Sequence, residues 1–297
     1  MVSTGDGTQG GGRAPAVPAD ILSLLAEALK IPEEALTGWT VAESLSDTSV
    51  VIGNDGLRHL ARRIAARAVL RRAHELVGPI QPSLRIVREP LGDPFRGELD
   101  EEQTIENLLG KDFPDPEDWV SARREERRTQ VCLMMDTSLS MSGKNLALAA
   151  VAAAVLAFSV KSEDLAVVAF ESTARALTHL GERDSASRVV EQLLAQPARG
   201  FTNIEEGLQT GRRELSRGSN PRRVGLLITD GVYTAGGDPL PQAQRFPRLF
   251  VLVTEDYVMD GDLCARMART ARGSVVPVSG YADLPRTMLT IVTRLLR

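Results

Sequence analysis

From Gln130 onward, short apolar runs alternate with longer stretches of helical periodicity. VCLMM (131–135), LAVVAF (165–170), VGLLIT (224–229), LFVLVT (249–254) and SVVPV (274–278) are apolar at nearly every position. A strand of that kind is buried on both faces, as in a parallel sheet covered by helices. The segments between predict helices over 143–160, 184–195, 203–217, 240–246, 260–271 and 282–296. ARALTHL (174–180) follows LAVVAF after a minimal turn, which leaves room only for an antiparallel edge strand. Together these elements predict a doubly wound α/β domain over 128–297 with a mostly parallel, six-stranded, Rossmann-like sheet.

The first part of the chain has a different texture. Residues 1–18, MVSTGDGTQGGGRAPAVP, are rich in Gly and poor in apolar side chains, and read as a disordered leader. A smaller, mainly helical region is expected over 19–127. ADILSLLAEALK (19–30) is helix-like, and a longer helix runs from Gly56 to about Val77 with Leu57, Leu60, Ile64 and Ala68 on one face. Residues 78–102 are broken by Pro and Gly and hold one short strand, LRIV. A short helix, the turn FPDPED and the charged run SARREERR follow, the last read as the approach to the α/β domain.

Composition narrows the function classes. A net charge of -4 provides no global basic field, so nucleic acid is not expected as a partner. The Arg-rich helix, with Arg58, Arg62, Arg63, Arg67, Arg71 and Arg72, has no interleaved aromatics for base stacking and reads as a solvated face. No secretory leader is visible, and the longest apolar run, NLALAAVAAAVLAFSV (145–160), is too short and too Ala-rich for a membrane span. A cytoplasmic protein with no membrane partner is expected. Cys132 and Cys264 lack metal-ligand spacing and read as reduced, buried thiols.

Candidate chemistry gathers where parallel strands end, because ligands of doubly wound sheets bind at the carboxyl ends near the switch in strand order. MMDTSLSMSGKN (134–145) leaves the first such strand. As a phosphate loop it fails at Ser138 and Asn145, where a glycine and a Ser or Thr hydroxyl are required. As an aspartyl nucleophile it lacks the second acid, because position 138 is Ser. No G-x-S-x-G elbow is present, and His59, His74 and His179 all lie away from the strand ends. Asp136, Ser138 and Ser140 instead alternate, offering one carboxylate and two hydroxyls to a hard cation such as magnesium or manganese. The bland alternative has Ser140 or Ser142 capping the next helix. Two more segments reach the same rim. Thr202 in ARGFTNIEEGL either caps a helix with Glu205 or leaves that task to Asn203 with Glu206, and Asp230 ends VGLLITD before a D-G turn.

DTSLSMSGK, GFTNIEEGL and LLITDG resemble, in order and spacing, the three segments of the metal-ion-dependent adhesion site of von Willebrand factor A (vWA) domains. The resemblance covers about residues 128–297 and implies the vWA fold. It implies that Asp136, Ser138, Ser140, Thr202 and Asp230 hold a Mg2+ or Mn2+ ion whose vacant position takes an Asp or Glu carboxylate from a protein partner. Leu139 and Phe201 stand where the family often has glycine. Leu139, Met141, Phe201 and Tyr233 are candidates for an apolar rim that touches the partner, or else for core positions. The arrangement, a helical region ahead of a C-terminal vWA domain, looks like bacterial proteins that work with MoxR-type AAA+ ATPases, including chelatase D-type subunits and CoxE-like maturation factors. That resemblance implies a non-enzymatic adaptor; the competing expectation is a metal-dependent phosphohydrolase using Asp136 and Asp230.

Overall fold

The computed structural model describes residues 19–45, 52–77, 84–91, 97–126, 128–196, 200–254, 259–278 and 284–296. The leader expected over 1–18 lies outside the described residues. The N-terminal part runs through helices α1 (Ala19–Leu29), α2 (Gly38–Leu45) and α3 (Asp55–Val77), then strands β1 (Leu84–Pro90) and β2 (Glu98–Leu99), helix α4 (Glu101–Leu108) and strand β3 (Val120–Glu126). The α/β part follows as β4 (Gln130–Asp136), α5 (Lys144–Ser159), β5 (Leu165–Phe170), β6 (Ala174–Thr178), α6 (Ala186–Leu194), α7 (Ile204–Leu215), β7 (Arg223–Thr229), α8 (Leu240–Ala243), β8 (Leu249–Thr254), α9 (Gly261–Thr270), β9 (Val275–Val278) and α10 (Leu284–Leu296).

The six-stranded sheet has the order β6-β5-β4-β7-β8-β9. Its pairings are parallel except that of β5 with β6, which is the antiparallel edge the sequence predicts. Alternate residues of each strand serve two cores. Val131, Leu133, Met135, Leu226 and Ile228 face a layer of α5, α3, α6 and α10, while Cys132, Met134, Leu227 and Val251 face α7, α8 and α9. Cys132 and Cys264 are both free and buried. Every residue of α5 from Leu146 to Leu156 is buried, because the helix has the sheet on one side and other helices on the other. Small side chains are needed where a helix is packed all round, which is why this segment is so rich in Ala. Among the described residues no helix is long and apolar enough to cross a membrane.

Two expectations need correction. On α3 the face turned inward is Ala61, Ala65, Ala66, Val69 and Ala73, whereas Leu57, Leu60, Ile64 and Ala68 are only half-buried. Gly38 of α2 lies against the second stripe, where a Cβ would meet that of Ala68 at 2.8 Å. A helix with two apolar stripes can bury either; the Ala-rich surface of α5 selects the stripe of small residues, which lets the two helices approach closely. Arg63, Arg67 and Arg71 stay exposed, and Arg58 pairs with Asp55 at 2.8 Å.

The second correction concerns residues 84–126, where one short strand was expected. They form a three-stranded antiparallel sheet of order β1-β3-β2, and the charged run SARREERR contributes most of its central strand. Its cross-strand partners are ionic, with Arg85 to Glu125 at 3.0 Å and Arg123 to Glu89 at 3.2 Å. A strand held by charge pairs on a solvated sheet carries no hydrophobic period, so the pattern concealed it.

Candidate metal centre

After β4 the chain crosses to β5 on one side, and it later returns to β7 on the other. The switch in strand order therefore falls between the carboxyl ends of β4 and β7, the crevice where such sheets bind ligands. Asp136 is the last residue of β4, and Asp230 follows the last residue of β7 directly. Both carboxylates are buried, at 0% and 1% exposure.

Backbone and hydroxyl groups hold Asp136, and a backbone amide holds Asp230. Asp136 accepts hydrogen bonds from the Ser138 amide at 2.9 Å and from the Thr229 hydroxyl at 2.8 Å. Asp230 Oδ1 accepts from the Val232 amide at 2.9 Å. The D-G turn that follows requires glycine, since Gly231 has φ of 84° and a Cβ there would lie 2.6 Å from the carbonyl of Asp260. Ser138 and Ser140 place their hydroxyl oxygens 3.2 Å apart. Neither Ser140 nor Ser142 caps the next helix, because Gly143 occupies that position without a side-chain bond. The Thr202 ambiguity is also resolved. Asn203 is the cap of α7, accepting from the Glu206 amide at 3.0 Å, so the Thr202 hydroxyl is not used for capping.

The three segments are tied into a closed ring. Thr137 donates through both its amide (2.8 Å) and its hydroxyl (3.1 Å) to the carbonyl of Phe170 at the end of β5. Beyond that end, the Glu171 carbonyl accepts from the Asn203 amide at 2.8 Å and the Ser172 hydroxyl from the Phe201 amide at 3.0 Å. The Thr202 amide donates to the Thr234 hydroxyl at 2.9 Å, and the Thr234 amide returns a bond to the Thr202 carbonyl at 2.9 Å. Thr229, on the same strand as Asp230's turn, closes the ring onto Asp136. Thr137, Ser172, Thr229 and Thr234 are positioning residues that the sequence alone did not single out. Only Thr229 carried a signal, its place beside Asp230.

The electrostatics of this ring are unbalanced. Among the described residues no Lys, Arg or His forms an ion pair with Asp136 or Asp230. Burial pushes the Asp136 carboxyl up to about 7, and the neighbouring Asp230 charge adds to the rise, against the hydrogen bonds from Ser138 and Thr229. Two buried acids held by amide and hydroxyl donors, with the Ser138 and Ser140 hydroxyls beside Asp136, form a donor set that fits a hard divalent ion. Among the described residues there is no cluster of three or more His, Cys, Asp or Glu side chains, which leaves a carboxylate-poor, hydroxyl-rich set as the candidate.

Around the ring, Leu139 (55%), Phe201 (66%) and Tyr233 (41%) are exposed. Met141 is not part of this rim, contrary to one of the two expectations for it. It is fully buried, and the Thr254 hydroxyl lies 3.3 Å from its sulfur. The segment Leu139–Met141 is one turn of 3₁₀ helix, whose three-residue period turns its third side chain inward when the first faces solvent.

A mostly parallel six-stranded sheet with this order, and with three rim segments meeting at its switch point, defines a von Willebrand factor A domain, a fold that acts as a protein-interaction module. The chain belongs to the family described as VWA domain containing CoxE-like protein, whose model matches residues 77–244. That span takes in the three-stranded sheet as well as the strands from β4 to β7. Among solved structures the chain is similar to a von Willebrand factor type A protein from Catenulispora acidiphila (16% identity, 72% of this chain and 50% of that one, TM-score 0.48). It is similar to the conserved hypothetical protein BatB from Bacteroides thetaiotaomicron (16% identity, 56% and 98% coverage, TM-score 0.45). A third is proximal thread matrix protein 1 from the mussel byssus, a structure described as having a zinc-occupied MIDAS motif (18% identity, 57% and 48% coverage, TM-score 0.48). The chain spans about half the length of the first and third of these, at 50% and 48%. No curated protein matches it.

Proposed function

We propose that the chain is a non-enzymatic, metal-dependent protein-interaction module. Asp136 and Asp230 would hold a Mg2+ or Mn2+ ion with the hydroxyls of Ser138, Ser140 and Thr202. The observation that carries this reading is the pair of buried carboxylates that no side-chain cation pairs among the described residues, at a rim where hydroxyl groups gather. A bound divalent ion would supply a positive charge only partly offset by two acids, and so an attachment point for an Asp or Glu of a partner. The chain's own task is to keep that ligand set rigid, through Thr229 on Asp136, Val232 on Asp230 and Thr234 on the Thr202 loop. Leu139, Phe201 and Tyr233 would give the partner apolar contact around the charged centre.

We further propose a cytoplasmic adaptor that joins a MoxR-type AAA+ ATPase to a client undergoing remodelling, maturation or metal insertion. Membership of the CoxE-like family supports this setting. The histidine weighed as a base lends no support to catalysis: His179 sits at the opposite end of the sheet, 3.0 Å from Glu214. Capture from host lysate with the chain as bait, in Mg2+, in chelator, and with Asp136→Ala, tests the proposal. An AAA+ ATPase retained only by the wild type in Mg2+ is the expected result. Capture insensitive to metal would overturn it, and phosphatase or ATPase activity lost in Asp136→Ala would replace it with the phosphohydrolase reading.

A further inference from the structure

The three-stranded sheet leaves one long strand unpaired on its outer side. In the order β1-β3-β2, strand β1 is an edge, and among the described residues nothing pairs with its free side. The Leu91 amide donates to the Trp119 carbonyl at 2.7 Å, so in the antiparallel ladder the odd-numbered residues of β1 bond to β3. The amides and carbonyls of Leu84, Ile86 and Arg88 therefore point outward. Pro90, the next outward position, has no amide to leave unpaired, as suits an edge strand. Leu84 and Ile86 are exposed at 50% and 58%, an unusual outlay of apolar surface on an unprotected edge.

We propose that β1 is a dimerisation edge, pairing antiparallel with β1 of a second copy of this chain about a two-fold axis at Val87. The argument for that occupant is the charge pattern of LRIVREP itself. Centred on Val87, the register sets Arg85 opposite Glu89 of the second copy, and Glu89 opposite its Arg85. Ile86 and Arg88 then face each other as hydrogen-bonded pairs, so outward groups meet outward groups and the ladder is continuous. On the Arg85 face each strand already carries two ion pairs, Arg85 with Glu125 and Glu89 with Arg123. Pairing joins them into alternating rows, Glu125, Arg85, Glu89 and Arg123, that cross the new boundary. On the other face Leu84 meets Pro90 and the two Ile86 side chains become diagonal neighbours, which covers apolar surface now exposed. A strand from an unrelated protein would have no reason to match this charge order.

Sedimentation velocity of the full chain over a concentration series tests the idea, with chelator present so that the metal centre plays no part. The wild type is expected to dimerise. Arg85→Glu alone and Glu89→Arg alone each place like charges opposite across the two-fold and weaken association about tenfold. The double variant Arg85→Glu/Glu89→Arg restores it, although it repairs neither the Glu125 nor the Arg123 contact within the chain. Ile86→Pro removes an outward amide without touching the bonds to β3 or the Arg88–Asp100 ion pair, and yields a folded monomer. A wild type that stays monomeric, or a dimer indifferent to all four variants, overturns the proposal. Failure of the double variant to restore the dimer overturns the register.

Discussion

The two ends of the six-stranded sheet treat buried acids in opposite ways. At the amino ends of the strands, Asp164 (side chain 4% exposed) is met by Arg128 at 2.7 Å, and Glu214 (4%) by His179 at 3.0 Å and Arg217 at 3.2 Å. The same Asp164 holds the Arg128 guanidinium above its ordinary value. At the carboxyl ends, Asp136 and Asp230 are at least as deeply buried, yet among the described residues they receive only amide and hydroxyl donors. A buried carboxylate with a cation beside it is part of the scaffold. One with hydroxyls in place of the cation is a site waiting for a charge, because leaving an ionised acid unpaired in the interior is costly.

Metal should affect only one end. With Mg2+ at about a hundred times its dissociation constant, the wild type is expected to gain about 2.7 kcal/mol of stability, read as a rise in melting temperature. Asp136→Ala and Asp230→Ala should lose that gain entirely. If either keeps it, the ion binds elsewhere and the contrast between the ends fails.

At the other end, Asp164→Ala should lower stability by about 1–2 kcal/mol whether or not metal is present, since it removes the nearer carboxylate from Arg128, whose exposure and second contact with Glu163 at 3.4 Å temper the loss. Chemical denaturation in Mg2+ and in chelator should give the same decrement. Asp136→Asn should behave oppositely in chelator, with no fall in melting temperature, because the amide can still accept from Ser138 and bond to Thr229 without a buried charge. A large loss for that variant would mean that Asp136 is scaffold after all.

A smaller effect is expected from Thr229→Val, which removes one hydroxyl donor from Asp136 and should weaken metal binding roughly tenfold by calorimetric titration. The smallest comes from the rim. Phe201→Ala should leave metal affinity unchanged and cost partner binding about 1 kcal/mol, measured against whichever protein the capture experiment returns.

The legibility of the molecule follows the source of each element's stability. The strands β4, β5, β7 and β8 were visible because burial on both faces writes itself as unbroken apolar sequence. Asp136 and Asp230 were visible because a lone acid ends each of two such runs. The ring of hydroxyls that positions them was not, since Thr137, Thr229 and Thr234 act through partners up to 93 residues distant. Met141 misled for a local reason, the inward rotation of one 3₁₀ turn.

By itself, then, the sequence determined the doubly wound sheet, its antiparallel edge and the alternation of acid and hydroxyls at one strand end. Those properties depend on residue type and short-range period. Only the tertiary structure decided which stripe of α3 faces α5, that a charged run is the middle of a second sheet, and that Asn203 rather than Thr202 caps α7. Each of those choices lay between alternatives nearly equal in local preference, and contacts between distant segments broke the tie.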